Sequence, residues 1–549
     1  MAEVPLDGED ERPTTLPLLP DIFSSIAAHL SYAQLLAFGR CSRATRRLVE
    51  AGLPAMRHLA LSGSRVDDNA LMDLVHRVPR LELLDVSSCA QLSKRAVASA
   101  ASACAHLQRL VAVRVGGGEE RRDGGADERW WAGVARGGIA WMAHGDALGA
   151  LLHGAPPHAA LELDCKLAVN LPLPTRRLAD GRLRLSRVVL AADMGTEAAD
   201  PAGAWEAGGE PHPDGHGAAL RQLAAALLPH SAHLTELDAR SGCLGPRAAE
   251  LLLAPLLCAP HAALAILRCS SLPPAAALPL GRALLCNRSL RVLAAGAAGF
   301  SSADAVALAP AIAAHPTLTR LSLEHNSILD SGAAAIAHAI ATSSLAHLTL
   351  SFTGAADGAA EALACSLTAG CSLRHLNLCG NCMGAPGVLV LARALGTGNT
   401  ALEELSLSAN SGLRAASSDL LPLLRVLPKT SLRRLQLAGC AISHKTTGLL
   451  ASILPATGIE ELDLSANPLG DRGAWDFAWA IPDCKRLRTL NLSDCGIGDD
   501  GGDEMLGVLS ATAVLERLDL RGNYISKQHG LTEFKCVDMI HQRGLKLFL

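Results

Sequence analysis

The sequence predicts an α/β solenoid, a horseshoe with parallel strands on its concave side and helices on its convex side, preceded by a small three-helix segment. Two observations carry this. Leucines recur in one fixed pattern through the second half of the chain, with successive starts at 318, 345, 373, 402, 432, 459, 487 and 515, which are 27 to 30 residues apart. The apolar mass is Leu and Ala: hydrophobic residues make up 49% of the 549 residues, aromatics only 3%. One compact core of that size would draw on more Phe, Tyr and Trp. Many thin, alike layers suit this composition better.

Each unit follows L-x-x-L-x-L-x-x-N-x-L. Leu318, Leu321, Leu323, Asn326 and Ile328 fit it, as do Leu373, Leu376, Leu378, Asn381 and Met383. Ile459, Leu462, Leu464, Asn467 and Leu469 follow, then Leu515, Leu518, Leu520, Asn523 and Ile525. The x-L-x-L stretch is a short strand whose leucines point inward by period-two alternation. The Asn sits where the chain turns, and its amide both donates to and accepts from backbone groups that would otherwise be buried unpaired. Thr353, Cys440 and Cys495 take its place in three units, the two cysteines reading as small buried residues. Asn410 is in phase but is followed by a one-residue insertion before Leu413. Gly332, Ala333, Ile336, Ala337 and Ile340 give one apolar stripe at helical spacing behind the strand. No unit could bury its face alone, so stability comes from stacking.

A strand plus a full helix in such a unit resembles the ribonuclease-inhibitor class of leucine-rich repeats. The resemblance covers roughly 231–525, with weaker units at Leu234, Leu264 and Leu290, and residues 526–549 read as a C-terminal cap. Further units over 53–115 begin at Met56 and Leu81; the second reads Cys89-x-x-Leu92-Ser93, similar to the cysteine-containing repeats of F-box proteins. A third, at Leu107 and Leu110, dissolves. Residues 116–230 read as degenerate repeats with disordered insertions: Gly116 to Gly125 is a loop, Thr196 to Gly217 a Gly/Pro/Ala/acid insertion, and Leu161, Leu163, Val188 and Leu190 mark surviving strands. Trp130, Trp131 and Trp141 lie in this region, either covering an irregular gap or forming a contact patch.

Residues 1–15 read as a disordered tail, and 16–52 as three short helices. Leu19-Pro20-Asp21-Ile22, then Ile26, Leu30, Leu35, Leu36, Cys41, Ser42, Arg43, Arg46 and Arg47 resemble the F-box, whose pattern is Leu-Pro-acid, spaced Ile and Leu, then a Cys-basic element. Ala44 stands where that family often has Trp, and no Pro-Glu-Asp precedes Leu35. The resemblance implies docking on the adaptor of an SCF-type ubiquitin ligase through Leu19, Pro20, Ile22, Ile26, Leu30 and Leu35, with the repeats holding a substrate protein. A plain helical cap for the solenoid is the other reading of this segment.

Partner-binding positions on the concave face are the outward residues beside the strand leucines: Arg320, His347, His375, Asn377, Glu404, Arg434, Gln436, Glu461, Asp463, Asn491, Arg517 and Asp519. This face is polar and of mixed charge, with almost no aromatic anchors. A neighbouring row, Arg374, Glu403, Arg433, Glu460, Arg488 and Glu516, alternates in sign and predicts a ladder of cross-strand ion pairs. Trp475 and Trp479 fall outside the apolar stripe of their helix, either as a convex docking site or packed over neighbouring helices.

A net charge of −4 gives no basic footprint for nucleic acid. The sixteen cysteines are spread singly, and residues 1–15 show no signal-peptide pattern, so a reduced cytoplasmic or nuclear setting is expected. The apolar stretch Leu251 to Leu267 contains Pro255, Pro260 and His261 and reads as a helix, a turn and a strand rather than a membrane span. There is no P-loop, no Gly-x-Ser-x-Gly and no paired Cys-x-x-Cys; His212, Asp214 and His216 read as a polar loop tip rather than a metal site. The expectation is a non-enzymatic protein-binding chain without cofactor, monomeric within a complex. Beside the ubiquitin-ligase reading stand a non-catalytic scaffold or sensor of the ribonuclease-inhibitor type and a Ran GTPase-activating-protein-like regulator. The last usually carries an acidic tail, where this chain ends Gln542-Arg543-Gly544-Leu545-Lys546-Leu547-Phe548-Leu549.

Overall fold

The computed structural model describes residues 57–112 with brief gaps, 141–142, most of 153–168, 182–191, 215–526 with brief gaps, and 546–548. The F-box-like segment, including Leu19, Pro20, Ile22, Ile26, Leu30 and Leu35, lies outside the described residues. So do the 1–15 tail, the loop at 116–125, Trp130, Trp131, His212 and Asp214. The chain forms two compact units.

In the first unit, strands His58–Ala60, Leu83–Asp85 and Arg109–Ala112 pair in parallel, and Arg109–Ala112 then pairs with Ala160–Ala168. The register is Leu59 to Leu84 to Leu110 to Leu161. The unit beginning at Leu107 therefore continues into a neighbour, although its sequence pattern fades. Trp141–Met142 pairs with Cys165 and Lys166 further along the same strand. Helices Asp68–Arg77 and Lys94–Ala103 are capped by the Asp67 and Ser93 side chains and pack on each other. Leu161, Leu163, Val188 and Leu190 are buried in strands Ala160–Ala168 and Leu183–Ala191, as expected.

In the second unit, parallel three-residue strands follow one another in chain order from Arg320–Ser322 through His347–Thr349, His375–Asn377, Glu404–Ser406, Arg434–Gln436, Glu461–Asp463, Thr489–Asn491, Arg517–Asp519 and Lys546–Phe548. One leucine per strand, Leu321 to Leu547, stays in line. The weak units at Leu234, Leu264 and Leu290 are structurally complete: Glu236–Ser241, Ile266–Cys269 and Val292–Ala294 hold the same register. Leu251 to Leu267 is a helix, a turn and a strand, as the prolines required. Gly215 opens a helix to Leu227, so the insertion drawn as Thr196 to Gly217 stops short of its expected end.

Two hydrogen-bond systems lock the stack. In the strand layer, the Asn467 Nδ2 donates to Leu437 O and Leu464 O (2.9 and 2.8 Å), while its Oδ1 accepts from the N–H groups of Cys440 and Ile442 (3.0 and 2.9 Å). Asn326, Asn381, Asn410 and Asn523 do the same work in their own repeats. Cysteine keeps only the donor half: Cys440, Cys495 and, in the first unit, Cys89 point Sγ at the carbonyl of the preceding repeat, at Leu407, Leu464 and Leu61. Burial pushes the Cys495 thiol up to about 12, so it is an inert packing group.

In the second unit the residue before such a position is left-handed, among them His325, Phe352, Ala409, Ala466 and Asp494, with φ of 54 to 55°. The reason is cross-strand bonding: this kink aims each N–H at the next repeat, as in His325 to Ser351 O and Ala466 to Ser493 O. In the helix layer, Asp471 Oδ1 accepts from Gly498 N and Gly501 N of the next helix, at 2.6 and 3.1 Å. Asp330 and Asp357 cap the following helices in the same way. The sequence signal for this cap is an Asp near the start of some helices, absent from Ala385–Gly396 and His444–Ile453, with a glycine one repeat on.

Candidate interaction surface

The strand face carries two outward rows fixed by the register. Along the first, the His347 and His375 rings stack 3.9 Å apart, 13° from parallel. His375 Nδ1 lies 2.8 Å from Glu404 Oε2, Arg434 reaches the same oxygen at 3.0 Å, and its Nε reaches Glu461 at 3.2 Å. Burial alone would raise the Glu404 carboxyl, but the His375 and Arg434 hydrogen bonds and charges outweigh it and hold it below the usual carboxylate value. The second row, Ser322, Thr349, Asn377, Ser406, Gln436, Asp463, Asn491 and Asp519, is uncharged up to Gln436.

Beyond Arg434 the surface dips into a cavity of about 150 Å³ walled by Arg434, Gln436, Glu461, Asp463, Asn491 and Arg517, with Thr489 in its lining. Gln436 and Thr489 make no side-chain hydrogen bond there, and Asn491 uses only its oxygen, on Ser493 N. Asp519 does not face outward as expected. It is 2% exposed, gripped by Arg521 at 2.6 and 2.9 Å with Arg517 above it, and both guanidinium groups lie over the Phe548 ring. A partner would meet arginine there, not carboxylate. Ser406 is likewise buried.

The alternating row departs from a continuous ladder. It resolves into three separate pairs, Arg374–Glu403, Arg433–Glu460 and Arg488–Glu516, while the intervening neighbours stay apart. In this row each arginine closes on the glutamate of the following repeat, whereas Arg434 in the neighbouring row bridges Glu404 and Glu461. These pairs are half-exposed, so Glu460→Gln is expected to cost under about 1 kcal/mol in urea unfolding; a larger loss would mean the row is a cooperative network.

His347 gives this face a pH dependence. Burial, then the His375 ring and Arg320, depress its imidazole to about 4. An unfolded histidine titrates near about 6.5, so between those values the unfolded chain binds more protons. The contribution is whole above about 6.5 and is lost as pH falls toward 4. Urea midpoints measured across that window should fall less steeply in His347→Gln than in the parent; parallel slopes would rule the histidine out as the cause.

The match to known proteins agrees with this construction. The family model described as Leucine Rich repeat matches residues 314–337, 371–392, 459–478 and 483–506. The chain folds as an α/β leucine-rich-repeat solenoid. It is similar to the ribonuclease inhibitor of Mus musculus, 27% identical over 253 residues, covering 40% of this chain and 55% of the inhibitor. It is also similar to NACHT, LRR and PYD domains-containing protein 12 of Homo sapiens, 30% identical over 254 residues, covering 39% of this chain and 23% of that protein. A third relative is the Tonsoku-like protein of Bos taurus, 33% identical over 248 residues, covering 42% and 18%. The chain thus spans about half the length of the ribonuclease inhibitor and under a quarter of the other two.

On the helix face, Trp475 and Trp479 are 44% and 78% exposed. Trp475 leans on the following helix, its Nε1 donating to Asp500 O at 3.3 Å, while Trp479 stands clear and makes no side-chain hydrogen bond among the described residues. Among the described residues no cluster of His, Cys, Asp and Glu could hold a metal ion, and no helix is long and apolar enough to cross a membrane.

Proposed function

We propose that the chain is a non-catalytic protein-binding scaffold, with its partner seated on the strand face at Arg320, His347, His375, Asn377, Glu404, Arg434, Gln436, Glu461, Asp463, Asn491 and Arg517. The observation that carries this is the cavity at Arg434–Arg517, where Gln436, Thr489 and the Asn491 amide nitrogen offer hydrogen-bonding groups that the chain itself leaves unused. Mixed charge suits a folded protein surface with its own ion pairs better than a polyanion. Affinity purification with the parent chain and with a Gln436→Glu/Asn491→Asp variant tests it. The specific partner should be lost from the variant while its unfolding curve stays unchanged; retention of every partner would place the interface elsewhere.

The finer reading is a substrate-recognition subunit of an SCF-type ubiquitin ligase. It is supported by Leu19-Pro20-Asp21-Ile22 and the Cys-basic element that follows, placed directly before repeats. In this reading Leu19, Pro20, Ile22, Ile26, Leu30 and Leu35 meet the adaptor. The tagged chain should then recover adaptor and cullin, and Leu19→Ala with Pro20→Ala should abolish recovery. If the parent chain recovers neither, the segment is a cap and the scaffold reading stands alone.

A further inference from the structure

The helix layer carries a second surface, independent of the strand-face reading. Helix Gly470–Ala480 buries Gly473, Ala474, Phe477 and Ala478 and turns Trp475 and Trp479 outward. Repeat register explains why Trp479 is left largely uncovered and Trp475 only half covered. The columns holding the two tryptophans carry Gly448 and Ser452 in the preceding helix, and Asp503 and Gly507 in the following one. A side chain at Gly507 would meet nothing within 4 Å. Trp479 therefore stands as a ridge between small residues, the reverse of how a folded chain normally uses its largest apolar side chain.

The following helix brings only acidic charge to this ridge. Helix Asp499–Gly507 contains no Lys or Arg, and Asp500, Asp503 and Glu504 are exposed without an ion pair. Arg472 lies a turn before Trp475, in the column of Asp500, so Asp503 and Glu504 are the charges in line with Trp475 and its neighbour Asp476. An indole face attracts cations through its quadrupole, and adjacent carboxylates add a directional charge. An apolar partner would strip water from those carboxylates with nothing in return. A second copy would bring the same acidic face against this one. Nucleic acid and anionic lipid would be repelled.

We infer that this surface docks a cationic segment of a protein partner, with an Arg or Lys side chain lying along the Trp479 ring and its charge over Asp503 and Glu504. The probe is acetylated, amidated hexa-arginine, titrated into the full chain by calorimetry at about 0.15 M salt, with hexaglutamate as control. Hexa-arginine should bind, hexaglutamate should not. Trp479→Ala and the pair Asp503→Asn/Glu504→Gln should each weaken binding roughly fivefold or more, while Arg434→Glu on the strand face should leave it unchanged. Trp479 is exposed, so the fold should survive its loss, which urea unfolding verifies. Equal binding by Trp479→Ala, equal binding of hexaglutamate, or no binding by the parent chain would each overturn the inference. So would Trp479-dependent dimerisation in sedimentation without peptide binding.

Discussion

Asn467→Ala is expected to destabilise the protein by about 3–5 kcal/mol, the largest loss from any single polar side chain considered. The side chain is 1% exposed and closes five hydrogen bonds with two consecutive turns. Its removal strands the Leu437 carbonyl and the N–H groups of Cys440 and Ile442 in a layer where each orphan costs roughly 1–3 kcal/mol, partly recovered by relaxation, while Leu464 O keeps the Cys495 thiol. The damage is also directional. Three of the five partners, Leu437, Cys440 and Ile442, belong to the preceding repeat, so the substitution weakens the interface between repeats as well as the turn. A solenoid's cooperativity rests on those interfaces, so urea unfolding should broaden as well as shift. Cys440→Ala is the internal comparison: a thiol supplies only weak donation to Leu407 O at 3.3 Å, and its loss should cost far less. A shift under about 1 kcal/mol for Asn467→Ala would mean that water replaces the amide and that the ladder is not a main source of stability.

What could be read in the sequence follows from which interactions need a particular residue. The strand leucines and Asn326, Asn381, Asn410, Asn467 and Asn523 are legible because burial by period two and an amide that must both donate and accept each admit few substitutes. The repeats at Leu264 and Leu290 were harder to see, since Leu272 and Ala298 fill the Asn position; the stack holds their backbone in register without the amide. The sheet continuing through Leu161 was obscured for a similar reason: pairing needs backbone, not a motif. The buried His315 was invisible. Its Nδ1 accepts from Leu318 N at 3.1 Å, where Asn287 one repeat earlier offers its Oδ1 to Leu290 N, and the shared chemistry is an acceptor rather than a residue type. On the candidate surfaces, outward direction could be read from alternation, but pairing could not. Whether Arg433 closes on Glu460 or Glu403, or whether Asp519 is covered by Arg521, depends on rotamers that a period does not specify.

The second large effect has the opposite sign from the ordinary rule. Gly→Ala within a helix usually stabilises by up to about 1 kcal/mol, yet Gly501→Ala is expected to cost about 2–3 kcal/mol. A Cβ at Gly501 would sit 2.6 Å from Asp471 Oδ1 and 2.9 Å from Asp471 Cα. The carboxylate can rotate away, but the backbone atom cannot. The helix must retreat from the preceding repeat, which lengthens the bonds from Gly498 N and Gly501 N to Asp471. Loss of that cap and the overpacking together exceed the gain in helix propensity. Gly507→Ala, six residues later in the same helix and with open space around it, should instead stabilise by about 0.5–1 kcal/mol. Opposite shifts in urea midpoint from two identical chemical changes would separate propensity from packing. A neutral or stabilising Gly501→Ala would mean that the helices slide freely past one another. The same close approach recurs at Gly387, whose Cβ would lie 2.5 Å from Asp357 Oδ1. Aspartate therefore couples neighbouring helices as asparagine couples neighbouring strands, and a substitution in either layer acts on the boundary between repeats rather than within one.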